Sequence, residues 1–315
     1  MRFFAMRPTL LLIWIARLSL VLSLPFPFHK RSLNKSDLLN RRSRRSDGVI
    51  DCIYMASEEG TFTYKSDGSL NVCGVYFIAP PESLVELEFT HFNINCQTGL
   101  SVVVDGWEMN HQYFPSPQDH PTALDERLHN LCGQRPTKSY VSSQNVALIQ
   151  HLIGMPGEGF TVRARFLKNP QPCNIVSMFK KGLYTVKNYG LRRNCSVSII
   201  YPERIQLLSV DVGVSGYNKR EEAEYGLRSK CHNFHGTDDH VEVAGGNGFE
   251  VGDLNVRARY CGMASNVGES EVIIGCQHSV VRLVSSGQYF NSVTFLYSNL
   301  SEDEIGREDP NKCIV

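Results

Sequence analysis

The side chains best suited to hold a metal or relay a proton cluster at Cys231-His232, His235, Asp238, Asp239 and His240. Thiolate, imidazole and carboxylate are transition-metal ligands, yet this spacing matches no zinc motif, and a thiol locked in a disulfide ligates nothing. A solvated loop is the simpler reading, so no metal is expected. A GxSxG elbow, an HExxH pair and a P-loop are all missing from the chain. No catalytic residue and no cofactor are therefore predicted, and the chain reads as a non-enzyme. What remains is cysteine chemistry. Cys52, Cys73, Cys96, Cys132, Cys173, Cys195, Cys231, Cys261, Cys276 and Cys313 are even in number, form no CxxC pair and all follow an apolar leader. Such a set reads as five disulfides made in an oxidising compartment.

The leader opens with Arg2 and Arg7 and runs on as an apolar stretch from Leu10 to Leu22. Basic residues ahead of a short apolar core describe a secretory signal peptide, here residues 1–24, with cleavage near Ser23–Pro25. At about 13 residues the stretch is too short for a membrane anchor, which needs roughly 20. The protein is therefore expected to be secreted and extracellular. On that route the triplets starting at Asn34, Asn194 and Asn299 are acceptors for N-glycosylation. Residues 25–48 are polar and Arg-rich, the composition of a linker or pro-segment. Within them Arg41-Arg42-Ser43-Arg44-Arg45 is either a solvated linker or a cleavage site for a basic-specific convertase. Lys plus Arg equals Asp plus Glu at 32 each, giving zero net charge. A nucleic-acid binder would carry a basic footprint, so nucleic acid is excluded as a partner.

The elements that hold the cysteines show a period of two. Val85, Leu87 and Phe89 alternate with polar residues, as do Val102 with Val104 and Val162, Ala164 with Phe166. The same holds for Val241 with Val243, Val272 with Ile274, and Val293, Phe295 with Tyr297. Alternation of this kind marks strands with one buried face, and the Gly- and Pro-containing turns between them suit a sandwich or jelly roll. Only Ala123–Leu131 has helical spacing, with Leu124, Leu128 and Leu131 on one face. The class is all-β. The cysteines also repeat: 20 residues separate Cys52 from Cys73 and 21 separate Cys173 from Cys195, and a wider pair follows each. Neighbour pairing within each half is expected, 52–73, 96–132, 173–195 and 231–261, with 276–313 tying down the tail.

Two cysteine pairs per half, the Asp105-Gly106 turn after a strand and the closing Val280–Gly287 segment resemble CUB domains, which are extracellular β-sandwiches. A tighter likeness lies in Asp105-Gly106-Trp107, Phe114–Pro121, Ser142–Ala147, Pro172-Cys173-Asn174 and Asn194–Pro202. Over residues 50–315 these strings resemble the corticotropin-releasing factor-binding protein family, in the same order and with the same ten cysteines. The resemblance implies two CUB-like domains, 49–168 and 169–315, the second with a disulfide-tethered tail. It implies capture of a helical peptide of the corticotropin-releasing factor, urocortin or diuretic-hormone class, which would limit signalling at the receptor. The CUB pattern taken alone implies a generic extracellular adaptor or protease enhancer.

The family pattern beside the first cysteine places an Arg four residues before it and an Asp two after. This chain has Gly48 and Tyr54 there, with Arg45 and Asp51 nearby. Asp51 and Tyr54 are the resulting candidates for peptide contact. Trp107 is a third, since aromatics are enriched at binding hot spots, the alternative being a buried sandwich aromatic. Many CUB domains also bind calcium through paired carboxylates. The first half keeps Asp105 but has Leu100 at the partner position, and the second keeps Asp239 but has Gly245-Gly246 in place of the turn. Calcium takes six to eight oxygen ligands, so no such site is expected.

Overall fold

A computed structural model describes residues 48–214, 226–265, 267 and 271–313. The leader, the basic run and Asn34 lie outside the described residues. The first half opens with β1 (Ile53–Ala56), β2 (Gly60–Lys65), β3 (Cys73–Ile78), β4 (Ser83–Asn93) and β5 (Gly99–Asp105). The hairpin β6 (Trp107–Met109) and β7 (Gln112–Phe114) follows, then β8 (Leu128–Leu131), β9 (Tyr140–Val141), β10 (Val146–Ile153) and β11 (Gly159–Lys168). The second half holds β12 (Ile175–Ser177), β13 (Lys181–Lys187), β14 (Cys195–Ile199), β15 (Glu203–Val212) and β16 (Gly226–Arg228). It continues with β17 (His240–Gly246), β18 (Leu254–Ser265), β19 (Glu271–Ile274), β20 (His278–Val284) and β21 (Ser292–Asn299).

Strand alternation decides how these pair. In β4 the inward Val85, Leu87 and Phe89 share one core with Val75 and Phe77 of β3 and with Phe160 and Val162 of β11. Two sheets therefore meet face to face, ordered β1-β3-β10-β5-β8 and β2-β11-β4-β9. The second half repeats the plan, with β12-β14-β20-β17 on one side and β15-β21-β13 on the other. Here the long β18 pairs with β17 through one end and β15 through the other, joining the layers into one ten-stranded sheet. Val197, Val243 and Val281 face Leu207, Val293 and Phe295 across this core.

Disulfides staple equivalent places in the two halves. Cys52–Cys73 ties the start of β1 to β3, and Cys173–Cys195 ties the start of β12 to β14. Cys96–Cys132 and Cys231–Cys261 close the wider loops, and Cys276–Cys313 holds the chain end. Closing loops of these lengths contributes about 3–4 kcal/mol each in the chain-entropy view.

The helical expectation for Ala123–Leu131 is corrected. Only Leu124–Arg127 makes a 3₁₀ turn, and Leu128–Leu131 is strand β8. Leu128 pairs with Val104 and Leu131 with Ser101, so the edge of the sheet takes the segment that spacing alone assigned to a helix. Arg127 locks the change of direction. Its buried guanidinium donates to the Asp105 carbonyl at 2.9 and 3.0 Å and to the Pro115 carbonyl at 2.9 Å.

The halves join through a core of their own. Ile78, Val146 and Leu148 of the first half meet Val176 and Phe249 of the second, with Trp107 and Phe114 between them. Arg282 on β20 reaches across to Asp119, with Nε 2.8 Å from Oδ2 and Nη2 2.6 Å from Oδ1, and also donates to Glu242 at 3.2 Å. The Asn145 side chain accepts from the Val176 amide at 3.0 Å and donates to the Val176 carbonyl at 2.9 Å, acting as a strand neighbour for β12.

Candidate functional site

The strand β1 reads Ile53-Tyr54-Met55-Ala56, an apolar run without a polar face. One side packs inward: Ala56 is buried, and the half-buried Tyr54 ring lies 5.8 Å from Phe62. The other side is open to solvent, with Ile53 62% and Met55 47% exposed. Because β1 pairs in parallel with β3, Ile53 sits beside Gly74 and Met55 beside Tyr76. The row through Tyr76 continues to Leu148, and the row through Gly74 continues to Gln150 and Val102, with Leu152 beside Leu100 further along. This outward face is one apolar surface with two fates. Toward the second half it becomes the joint core; toward β1 it stays uncovered.

The β6–β7 hairpin walls the open part. The Tyr76 hydroxyl donates to the Glu108 carbonyl at 3.1 Å, and its ring meets Trp107 edge-on at 5.7 Å. Gln150 donates to the Glu108 carboxylate at 2.9 Å. Burial, together with that carboxylate, pushes the Tyr76 phenol up to about 12, so it stays a neutral donor at physiological pH. Gly74 is needed where it stands, since a Cβ there would lie 2.9 Å from the Tyr76 ring. The result is a shelf of Ile53, Met55, Tyr76, Val102, Leu152 and Leu100, with Met109 on its wall. Grouped apolar side chains of this kind suit an interaction surface.

Of the residues singled out by sequence, Asp51 is exposed at the head of the shelf and Tyr54 lies beneath it. Trp107 is corrected as a contact candidate. Its ring is 1% exposed within the joint core and its indole N–H donates to the Phe77 carbonyl at 3.0 Å, so no surface is left for a partner. Sequence reasoning missed Ile53, Met55, Leu100 and Met109. The available signal was the absence of alternation in Ile53–Ala56, which leaves a strand with apolar side chains on both faces.

The other chemical candidates are committed elsewhere. Asp105 accepts from the Ser143 amide at 2.7 Å and from the Ser143 hydroxyl, and His120 Nε2 lies 3.4 Å away. Burial opposes ionisation of Asp105, but the hydrogen bonds from His120 and Ser143 outweigh it and hold the carboxyl below its usual range. The Ser143 hydroxyl lies 3.2 Å from His120 Nε2 as well as against the Asp105 carboxylate, so the three side chains form one polar cluster. Asp239 is buried, accepting from the Ser286 amide and the Asn291 side chain, whereas His232 pairs with Asp238 and His240 with Glu242. Gly245 and Gly246 are the last residues of β17, where a Cβ would strike Ile274 or the Asp253 carbonyl. Asn299 is exposed at the end of β21, and Asn194 is half-buried.

The molecule is a disulfide-bonded, two-domain all-β scaffold with an open apolar shelf, an arrangement suited to binding. Residues 41–168 match the corticotropin-releasing factor binding protein N-terminal domain and residues 175–306 match the corresponding C-terminal domain. The sheep corticotropin-releasing factor-binding protein is 35% identical over 90% of this chain and 82% of its own length, and the human protein is 35% identical over 84% and 79%. The chain belongs to the corticotropin-releasing factor-binding protein family. Among solved structures, the CUB1-EGF-CUB2 region of human MASP-1/3 aligns over 76% of this chain and 99% of that chain, at 11% identity and a TM-score of 0.26.

Proposed function

We propose that this protein is secreted and sequesters a helical peptide of the corticotropin-releasing factor class, keeping it from its receptor without cleaving it. The open shelf beside β1, in a chain of this family, is the observation that carries the reading. An amphipathic helix can lay its apolar stripe on such a surface, leaving its polar stripe in water. The disulfides and the joint core hold the shelf rigid, so little order is lost on binding. Asp51, exposed at one end, is proposed to flank the peptide, and Tyr54, packed on Phe62 beneath the shelf, to support it from below. Five disulfides suit the extracellular route, and among the described residues no helix is long and apolar enough to cross a membrane. The repeat is proposed to comprise CUB-like domains over 49–168 and 169–315.

Calorimetric titration with a corticotropin-releasing-factor-like peptide tests this. One-to-one binding is expected, with a negative heat-capacity change from apolar burial and intact peptide afterwards by mass spectrometry. No binding at micromolar concentration, or a cleaved peptide, overturns it.

A further inference from the structure

A cavity of about 910 Å³ lies at the junction of the two halves, lined by residues from both. The volume falls within the roughly 300–1,000 Å³ typical of sites for small ligands. One residue of its wall is Asn194, the acceptor of the Asn194-Cys195-Ser196 triplet. The Asn194 carboxamide donates from Nδ2 to Asp119 Oδ1 at 3.0 Å and accepts from the Ser285 amide at 3.3 Å. Cys195 is bridged to Cys173, also in the wall, so the acceptor sits on a fixed frame. An amide nitrogen has two hydrogens, and glycosylation replaces one, leaving the other for Asp119.

We propose that the N-glycan attached at Asn194 is built into this cavity, its first N-acetylglucosamine occupying part of the space between the halves. A sugar of this class presents hydroxyls, an acetamide and one apolar face. The wall offers Ser143 and Gln144 from the first half and Ser286 and Arg193 from the second as polar partners, with Pro121 and Leu191 as apolar ones. Arg193 is held in place in this wall, its guanidinium 4.9 Å over the Tyr189 ring and its Nε donating to the Asn188 carbonyl at 3.3 Å. Asp119, which holds the Asn194 amide, is also the carboxylate that grips Arg282 across the junction. The root sugar therefore joins the contact that links the halves. Asn299 differs, being exposed at a strand end and absent from this wall.

The proposal rests on passage through the secretory route and not on peptide binding, so the two readings fail separately. The test uses the full chain carrying Asn34→Gln and Asn299→Gln, made in secretory eukaryotic cells and trimmed to a single N-acetylglucosamine. Its reference is the same sequence made with glycosylation blocked. Amides around His120 and Ser143, and around Ser285, are expected to exchange hydrogen several-fold more slowly in the trimmed glycoprotein. An unmodified Asn194 in the peptide map, or equal exchange in the two proteins, overturns the proposal. If the sugar-free chain is not recovered folded, the rate at which an amidase releases the sugar decides. Slow release from native protein relative to denatured protein supports a seated sugar, and equal rates refute it.

Discussion

Met55 and Val176 occupy the same place in the two halves, and their surroundings are opposite. Each stands three residues after the first cysteine of its half, on a short strand that runs parallel to the strand after the second cysteine. Met55 pairs with Tyr76 and Val176 with Ser198, again three residues beyond a cysteine. Yet β12 is buried throughout, while β1 has Ile53 and Met55 in solvent. The repeat produces two equivalent apolar edges. One is consumed in joining the halves and the other is left free, which is why the proposed binding surface lies on the first half and not on both.

The covered edge depends on a charge as well as on apolar contact, and its removal should have the largest effect. Arg282→Ala leaves Asp119 buried without its cation, whereas Glu242 keeps Arg259 and His240, and the broken buried pair should cost about 3–5 kcal/mol. Urea unfolding should show the midpoint fall steeply. Matched substitutions at the two equivalent strands come next. Val176→Asp places an unpaired carboxylate in the joint core and should cost about 3 kcal/mol or more. Met55→Asp, on the open shelf, should stay within about 0.5 kcal/mol of wild type. Equal losses would break the comparison.

Asn145→Ala is milder. It strips the Val176 amide and carbonyl of their partner, at about 1–3 kcal/mol, and hydrogen exchange at Val176 should accelerate. Two buried groups, one in each half, should also titrate in opposite directions. In the first, burial beside Tyr64 and Phe160 pushes the His151 imidazole down to about 4, against support from the Ile149 backbone. Its contribution is present above the unfolded value near 6.5 and is lost as pH falls toward 4. In the second, burial alone pushes Glu203 up to about 8, and its carboxylate has no hydrogen-bond partner among the described residues. That contribution is present below the usual carboxylate range and is lost as pH rises through about 8. Glu203→Gln should flatten the alkaline limb of Tm against pH by about 2–4 °C, and His151→Phe the acid limb by a similar amount.

Much of the fold was legible because the alternation of Val85, Leu87 and Phe89, and of Val293, Phe295 and Tyr297, needs only local sequence. The repeat was legible for the same reason: cysteine spacing is a one-dimensional signal. Leu128–Leu131 was not, because its helical spacing yields to an edge of the sheet that only tertiary structure creates. Trp107 was offered as a contact residue with a buried aromatic as the alternative, and its burial depends on the second half closing over it. The shelf was least legible. Whether Ile53 and Met55 are covered is decided by where the other half docks, and nothing in four residues records that.

The most direct test of the account is calorimetric titration of a corticotropin-releasing-factor-like peptide into wild-type and Met55→Asp protein, each first shown to have the same unfolding midpoint. One-to-one binding by wild type and at least tenfold weaker binding by the variant, about 1.4 kcal/mol, are expected. Unchanged affinity in the folded Met55→Asp protein would contradict the placement of the peptide on the open shelf, and no binding by wild type would contradict the function itself.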